Sequence, residues 1–388
     1  MKKMIRIFVL CLICLMILTA CSEKTTNVSV SGRKNLSGIF VDSGYYHTDS
    51  KGFLKYTELS DGITVCLCQK VSCTHENTDI CEGYIGTTGG IVGTALLYWN
   101  DGLYYFQTDE YGTHLYRRNS DGTGLSAVST LCKSYMEELE EINFSVLDGI
   151  IFEGKLYYST IIFAVVENED GTSTTEPIMD LINCVDLQTG KEETLIKSEE
   201  NRLELVDVQN GNLYYLEMEQ GDTSAENYGD TIDSLPIWLK KYDLSKGEYA
   251  TVFEKKRADY ASTNTLIGDK LYYHINTEAG NENHCYDIKD GTDILISMDR
   301  LTILNNRYIL RRPQKGLDWE ILDMQSKKVL PCDFAGEHLS LQNVSDKGAV
   351  FKRTEMANGM STGQNEYFYV AFKSLSDGLQ KEDCILFQ

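Results

Sequence analysis

Cys68-x4-Cys73-x-His75-x5-Cys81 places three thiols and one imidazole in a short stretch, with Cys66 two places upstream. Thiolate sulfur and imidazole nitrogen are the donors that tetrahedral zinc takes, and three plus one is the ligand count of a closed structural site. The spacing is not that of a standard zinc knuckle. In an oxidising compartment the same thiols cross-link instead, and four of them allow three pairings. Metal, disulfide and free thiol therefore all stay open at Cys66, Cys68, Cys73, His75 and Cys81. Among the other cysteines, Cys132, Cys184, Cys285, Cys332 and Cys384 stand alone in strand-like runs and read as small buried hydrophobes.

A second chemistry open to this chain is stacking of aromatic rings on a sugar or peptide. Most of the 24 tyrosines sit at matching positions of a repeat, which marks them as packing residues. Outside those positions lie Tyr84, Tyr111, Tyr228 and Trp319, the candidate ligand contacts; Trp99 and Trp238 adjoin strand-like runs and read as core. His47 and His274 each follow a Tyr-Tyr pair, so they would occupy equivalent places, most simply as hydrogen-bonded strand residues. His114, His284 and His338 have no recognisable partner.

No catalytic signature is present: no Gly-x-Ser-x-Gly elbow, no His-Glu-x-x-His helix, no phosphate-cradling glycine loop opening a helix. No catalytic residue is assigned. Carboxylate pairs are too numerous among 58 acidic residues to be informative. With 36 basic residues the net charge is -22, and a surface this acidic repels phosphate backbones, which argues against nucleic acid as a partner.

The elements that must position these residues announce themselves by repetition. One phrase is a glycine turn entering an aromatic strand: Asp101-Gly102-Leu103-Tyr104-Tyr105, Gly154-Lys155-Leu156-Tyr157-Tyr158, Gly211-Asn212-Leu213-Tyr214-Tyr215 and Asp269-Lys270-Leu271-Tyr272-Tyr273, with weaker copies near 42–46, 305–309 and 346–351. The other closes a strand with a polar turn, as in Val185-Asp186-Leu187-Gln188-Thr189-Gly190 and Tyr242-Asp243-Leu244-Ser245-Lys246-Gly247. Asp-Gly and Asn-Gly supply the positive φ of short hairpins, and the flanking residues favour a pleated strand. One module is then four antiparallel strands, two tight turns and one variable loop. The fold class is all-β: a β-propeller of seven four-stranded blades, with six or eight as the neighbouring counts. Loops at Val166 to Met179 and Glu219 to Leu235 are the long insertions, on one face, and Tyr135 to Ile142 has a brief helical rhythm.

Residues 1–20 carry Lys2, Lys3 and Arg6 ahead of an apolar run too short to span a bilayer, the form of an export signal. Leu18-Thr19-Ala20-Cys21 resembles the bacterial lipobox, which implies cleavage before Cys21 and lipid on its sulfur. Residues 21–37 are polar and aperiodic, a tether; residues 38–388 are the propeller, with the Cys/His insertion at 66–85. This organisation places the chain on the outer face of the cytoplasmic membrane, held there through Cys21.

With these features the chain resembles the exported bacterial β-propeller lipoproteins whose domain is named after the low-density-lipoprotein-receptor-related propeller. The likeness rests on Cys21, the Leu-Tyr-Tyr and Tyr-Asp-Leu phrases, and Leu67-Cys68 to Cys73-Thr74-His75 to Cys81. Val71 stands where that element often has proline, and Cys66 is additional. The resemblance implies a surface-tethered scaffold. The expectation is a non-catalytic module binding an extracellular protein, peptide or glycan, with a structural zinc as the conceivable cofactor; the alternative is a propeller glycosidase or polysaccharide lyase.

Overall fold

A computed structural model describes residues 38–49, 51–76, 81–86, 96–109, 112–139, 142–168, 171–220, 234–256, 261–277, 280–313, 318–334, 338–357 and 360–388. The expected export signal, the expected tether with Cys21, and the candidate contacts Tyr111 and Tyr228 lie outside them. Seven four-stranded antiparallel sheets follow one another along the chain, at residues 38–66, 97–130, 142–198, 201–256, 261–297, 300–331 and 338–386. Each blade is built from four strands consecutive in sequence, and its first strand is an edge of the sheet. First strands contact one another from blade 1 through blade 5, and that of blade 1 also contacts that of blade 7, so the ring closes with the first strands innermost. The seven-bladed propeller expected from the repeats is the architecture.

The aromatic phrase is the second strand of each blade, and its alternation explains the repeat. In a strand, successive side chains point to opposite faces. Tyr214 therefore packs with Leu266, Leu271 and Tyr273 between blades 4 and 5, while Tyr215 packs with Tyr157 and Leu205 between blades 3 and 4. Tyr104 and Tyr105, Tyr157 and Tyr158, and Tyr272 and Tyr273 are shared out in the same way between the seams on either side.

Blade 1 departs from this register. Tyr45 pairs with Thr57 and Gly44 with Glu58, so Tyr45 holds the place of leucine, Tyr46 that of the first tyrosine, and His47 that of the second. His47 and His274 are thus not equivalent, contrary to the sequence expectation. The hairpin loop is two residues long as in blades 2 and 5, but the Tyr-Tyr pair follows Gly44 directly with no leucine between, and a shift of one reverses every facing.

The polar phrase ends the third strand, and its aspartate caps the turn. Asp186 Oδ1 accepts the Gln188 and Thr189 backbone N–H groups at 3.1 and 2.8 Å, and Asp243 Oδ1 accepts those of Ser245 and Lys246 at 2.9 and 3.1 Å. Asp323 does the same for Gln325 and Ser326 and takes the Arg307 guanidinium in a two-pronged bond. Such local bonds are why aspartate recurs there.

In blades 1, 2, 3 and 7 the glycine closing this turn has a second duty. A Cβ on Gly62, Gly190 or Gly378 would overlap the carbonyl oxygen of Leu386, Val128 or Pro331, and one on Gly122 would lie 3.0 Å from that of Leu67. In every case the carbonyl belongs to the outer strand, or its end, of the preceding blade. Blade 7 is joined to blade 1 by the same contact, reinforced by Gln388 N–H to the Gly62 carbonyl at 2.9 Å and by a cluster of Tyr45, Val350, Tyr369 and Phe387.

Two expectations are corrected. Val166 to Met179 is not an open loop: strands Lys155–Glu167 and Ser173–Asp186 pair through it as a long hairpin. The helix near 135–142 is shorter and earlier, Lys133–Glu138, because Ile142 already begins the first strand of blade 3.

Two outcomes follow. Gly62→Ala and Gly190→Ala, measured by denaturant unfolding, should each cost at least about 1 kcal/mol more than Gly211→Ala. All three residues have positive φ, but nothing lies within 4 Å of a Cβ on Gly211; equal losses would refute the close approach. Second, the Arg307 guanidinium beside Asp323, against opposing burial, lowers that carboxyl to about 2, and hydroxyl and backbone donors depress Asp243 and Asp186. A depressed folded pKa contributes stability above the unfolded value near 4 that is lost as pH falls toward 2. Unfolding midpoints should drop across that window, and less steeply in Asp323→Asn; parallel curves would exclude the role.

Candidate metal centre

The Cys/His insertion leaves the outer strand of blade 1 and lies across its seam with blade 2. Leu67 N–H bonds the Leu54 carbonyl at 2.9 Å, Leu54 N–H the Gly83 carbonyl at 2.8 Å, and Ile85 N–H the Gly52 carbonyl at 3.0 Å. Towards blade 2, Gln69 Nε2 donates to the Asp121 carbonyl at 2.8 Å, and Gln107 Nε2 to that of Ile85 at 3.0 Å. Leu54, Leu67, Ile85, Leu96, Leu103 and Tyr105 form the apolar floor beneath.

Cys68, Cys73, His75 and Cys81 converge there, their donor atoms all within 4.8 Å of one another. Cys81 Sγ is 3.5 Å from His75 Nδ1. A zinc ion with bonds of about 2.3 Å to sulfur holds tetrahedral ligands about 3.8 Å apart, so small shifts close the observed spread. Among the described residues this is the one such group of potential metal ligands, and all the described cysteines are unbridged.

The surroundings fit a cation. Burial raises the Cys68 thiol, but the N–H groups of Lys70, Gly83 and Glu82 and the Cys73 thiol outweigh it and hold Cys68 below the ordinary thiol value. Burial carries Cys81 the other way, up to about 12, assisted by Cys73 and Cys68 and opposed by the Gly83 N–H. Backbone donors aimed at sulfur stabilise thiolate, while three thiolates this close repel unless a dication lies between them. Ser72 and His75 both have positive φ, at 65° and 57°. Such strain persists only where the surroundings over-determine the loop.

Cys66 stands beside the group without belonging to it. Its thiol is hydrogen-bonded to Cys81, and a Cβ on Gly83 would come within 2.9 Å of its Sγ. A side chain at position 83 would force that sulfur to shift.

The remaining sequence candidates are dispersed. Trp319 is 4% exposed, in the core between blades 6 and 7 with Arg312 over its ring at 5.6 Å, so it cannot offer a face to a ligand. It escaped the repeat pattern because it precedes the third strand of blade 6. Tyr84 is partly buried with its ring 5.4 Å from Phe53, covering the seam. His47 Nε2 meets Thr57 Oγ1 at 3.0 Å, and burial lowers it to about 4. His114 and His284 do have partners, Asp109 with Thr130 and Asp293 with Glu282, which come from neighbouring strands and hairpins.

The connections divide unequally between the two ends of the ring. Because strands alternate in direction, the connections after second and fourth strands share one face. On that face lie the long connections between strands ending at 66, 130 and 219 and those beginning at 97, 142 and 236, and the long hairpin of blade 3; the other carries tight turns, apart from residues 372–384.

No protein-family model matches the chain, and no curated protein matches it. Solved structures do. A puromycin hydrolase mutant in complex with PGG aligns with 90% of this chain and 53% of its own, at 12% identity and a TM-score of 0.57. A puromycin-hydrolysing peptidase from Mycobacterium tuberculosis aligns with 88% and 58%, at 9% and 0.51. An oligogalacturonate lyase in complex with manganese aligns with 91% of each chain, at 13% and 0.48. The chain spans little more than half the length of the first two, and what it shares with them is the fold. It is a seven-bladed β-propeller.

Proposed function

We propose that this chain is an exported, lipid-anchored β-propeller. Its loop-bearing face binds an extracellular protein, peptide or glycan without turning it over, and its Cys/His group holds a structural zinc ion. The observation that carries the binding role is the one-sidedness of the connections. In repeat proteins, insertions confined to one face mark a binding surface on a rigid frame. Propellers of this kind also occur in hydrolases and lyases, and a fold does not choose between the roles.

For the metal, Cys68, Cys73, His75 and Cys81 would be the ligands. A closed set of four leaves no open position, so the ion's contribution is cohesion of the insertion and of the seam beneath it. The mature chain, purified under reducing conditions, should carry about one zinc per molecule, lost in Cys73→Ser together with several degrees of thermal stability. Elemental analysis without metal, alongside a mapped cross-link at Cys68 or Cys73, would replace zinc with a disulfide.

For location and binding, Cys21→Ser should move the protein from membranes to the medium, and that soluble form serves for ligand assays. On arrays of cell-wall glycans, polysaccharides and peptides, replacing residues 165–175 by a short Asn-Gly turn should abolish binding and leave the melting temperature unchanged. Retained binding would refute the assignment of this face. Release of reducing ends or new amino groups from any arrayed compound would make the protein an enzyme.

A further inference from the structure

The Cys66 thiol is the feature of this region that a four-ligand site leaves unused. It is hydrogen-bonded to the Cys81 sulfur, while Cys81 in turn lies 3.5 Å from His75 Nδ1 within the donor group. The two cysteines reach each other from segments fixed independently. Cys66 ends the outer strand of blade 1, opposite Lys55, and the segment after Cys81 is bonded through Gly83 to Leu54. Glycine at 83 leaves the room in which Cys66 Sγ sits, since a Cβ there would come within 2.9 Å of it. A thiol held against a metal-ligand sulfur is placed to form a disulfide with that ligand.

We infer that Cys66 is an oxidative modification site: a peroxide converts Cys66 and Cys81 into a disulfide and thereby removes Cys81 from the metal. The inference rests on the zinc reading above for its second half only. In the first step the Cys66 sulfur attacks the peroxide; an S–O bond forms, the O–O bond breaks, and thiol plus hydrogen peroxide gives sulfenic acid plus water. In the second, the Cys81 thiolate attacks that sulfur; the S–S bond forms, the S–O bond breaks, and hydroxide leaves. Two sulfurs have given up two electrons to one peroxide, and charge is conserved. Cys68, Cys73 and His75 remain as a three-donor set with one fewer negative charge, and the ion's affinity falls accordingly.

The consequence is local to the seam. Leu67, next to Cys66, makes the close contact with Gly122 of blade 2, and Gln69 bonds the Asp121 carbonyl. Oxidation therefore exchanges one cross-link of the insertion for another: a metal bridging residues 68 to 81 gives way to a disulfide tying its base at 66 to 81.

The test treats the full mature chain with hydrogen peroxide, follows zinc release with a chromogenic chelator, and maps cross-links by peptide mass spectrometry. Wild type should release its zinc in step with a Cys66–Cys81 cross-link, reversed by dithiothreitol and added zinc. Cys66→Ser should retain one zinc per chain and release it at least about tenfold more slowly, without that cross-link. Equal release rates in the two proteins, or a cross-link confined to Cys68, Cys73 and Cys81, would overturn the assignment. A wild-type protein that carries no zinc would overturn the metal reading and the release step. In that protein the Cys66–Cys81 cross-link still decides the pairing, for it if formed and against it if not.

Discussion

Burial of both faces of every sheet against its neighbours is the constraint on which the ring depends. A sheet with four strands cannot bury both its faces alone, so each blade is stable only between two neighbours. Side-chain packing supplies the burial, and the two tyrosines of each aromatic strand divide it between the seams. Packing by itself sets no angle between sheets. At four seams the turn glycine lets the outer rims meet closely: Gly62 with Leu386, Gly122 with Leu67, Gly190 with Val128 and Gly378 with Pro331. The closing seam between blade 7 and blade 1 is one of these four. Among the described residues no strand is exchanged between the first and last blades, and closure is secured there by side chains, end-to-end hydrogen bonds and this contact.

The Cys/His group is an elaboration of one such seam. Leu67 makes the contact with Gly122, and the chain then runs into the insertion before returning at Ile85 to the shared apolar floor. The insertion offers little apolar area of its own: Val71 is 89% exposed, and the backbone turns through left-handed Ser72 and His75. A cross-link within such a loop would offset the cost of its left-handed non-glycine residues, about 1–2 kcal/mol each. Donor atoms on one side and backbone N–H groups aimed at sulfur on the other supply the elements of that cross-link. The same reasoning separates this group from the scattered cysteines, such as Cys132, which lie in the core where packing already fixes the chain.

Much of this was legible in the chain itself where local rules decide. The aspartate of each polar turn, the positive-φ glycines and the alternating aromatic strands are properties of a few adjacent residues, and they defined the blade. The clustering of potential metal ligands was legible too, because Cys68 to Cys81 lie within one loop and no distant segment is needed to assemble them. Errors fell where a short-range pattern meets a long-range partner. His47 follows a Tyr-Tyr pair like His274, yet that pair begins directly after Gly44 with no leucine between, which sets His47 on the other side of its strand. Val166 to Met179 has the polarity of a loop but pairs with itself as a hairpin, and Trp319 sits outside the repeat yet is covered by blade 7.

By itself, then, the sequence determined the strand-turn unit, its sevenfold recurrence and the identity of the clustered donors, since each is encoded in residues a few positions apart. Only the tertiary structure decided which seam each aromatic ring fills, that the insertion spans blades 1 and 2, and that Cys66 lies against Cys81 outside the four-donor group. Those facts depend on the twist of one sheet against the next, which brings together atoms the chain keeps apart.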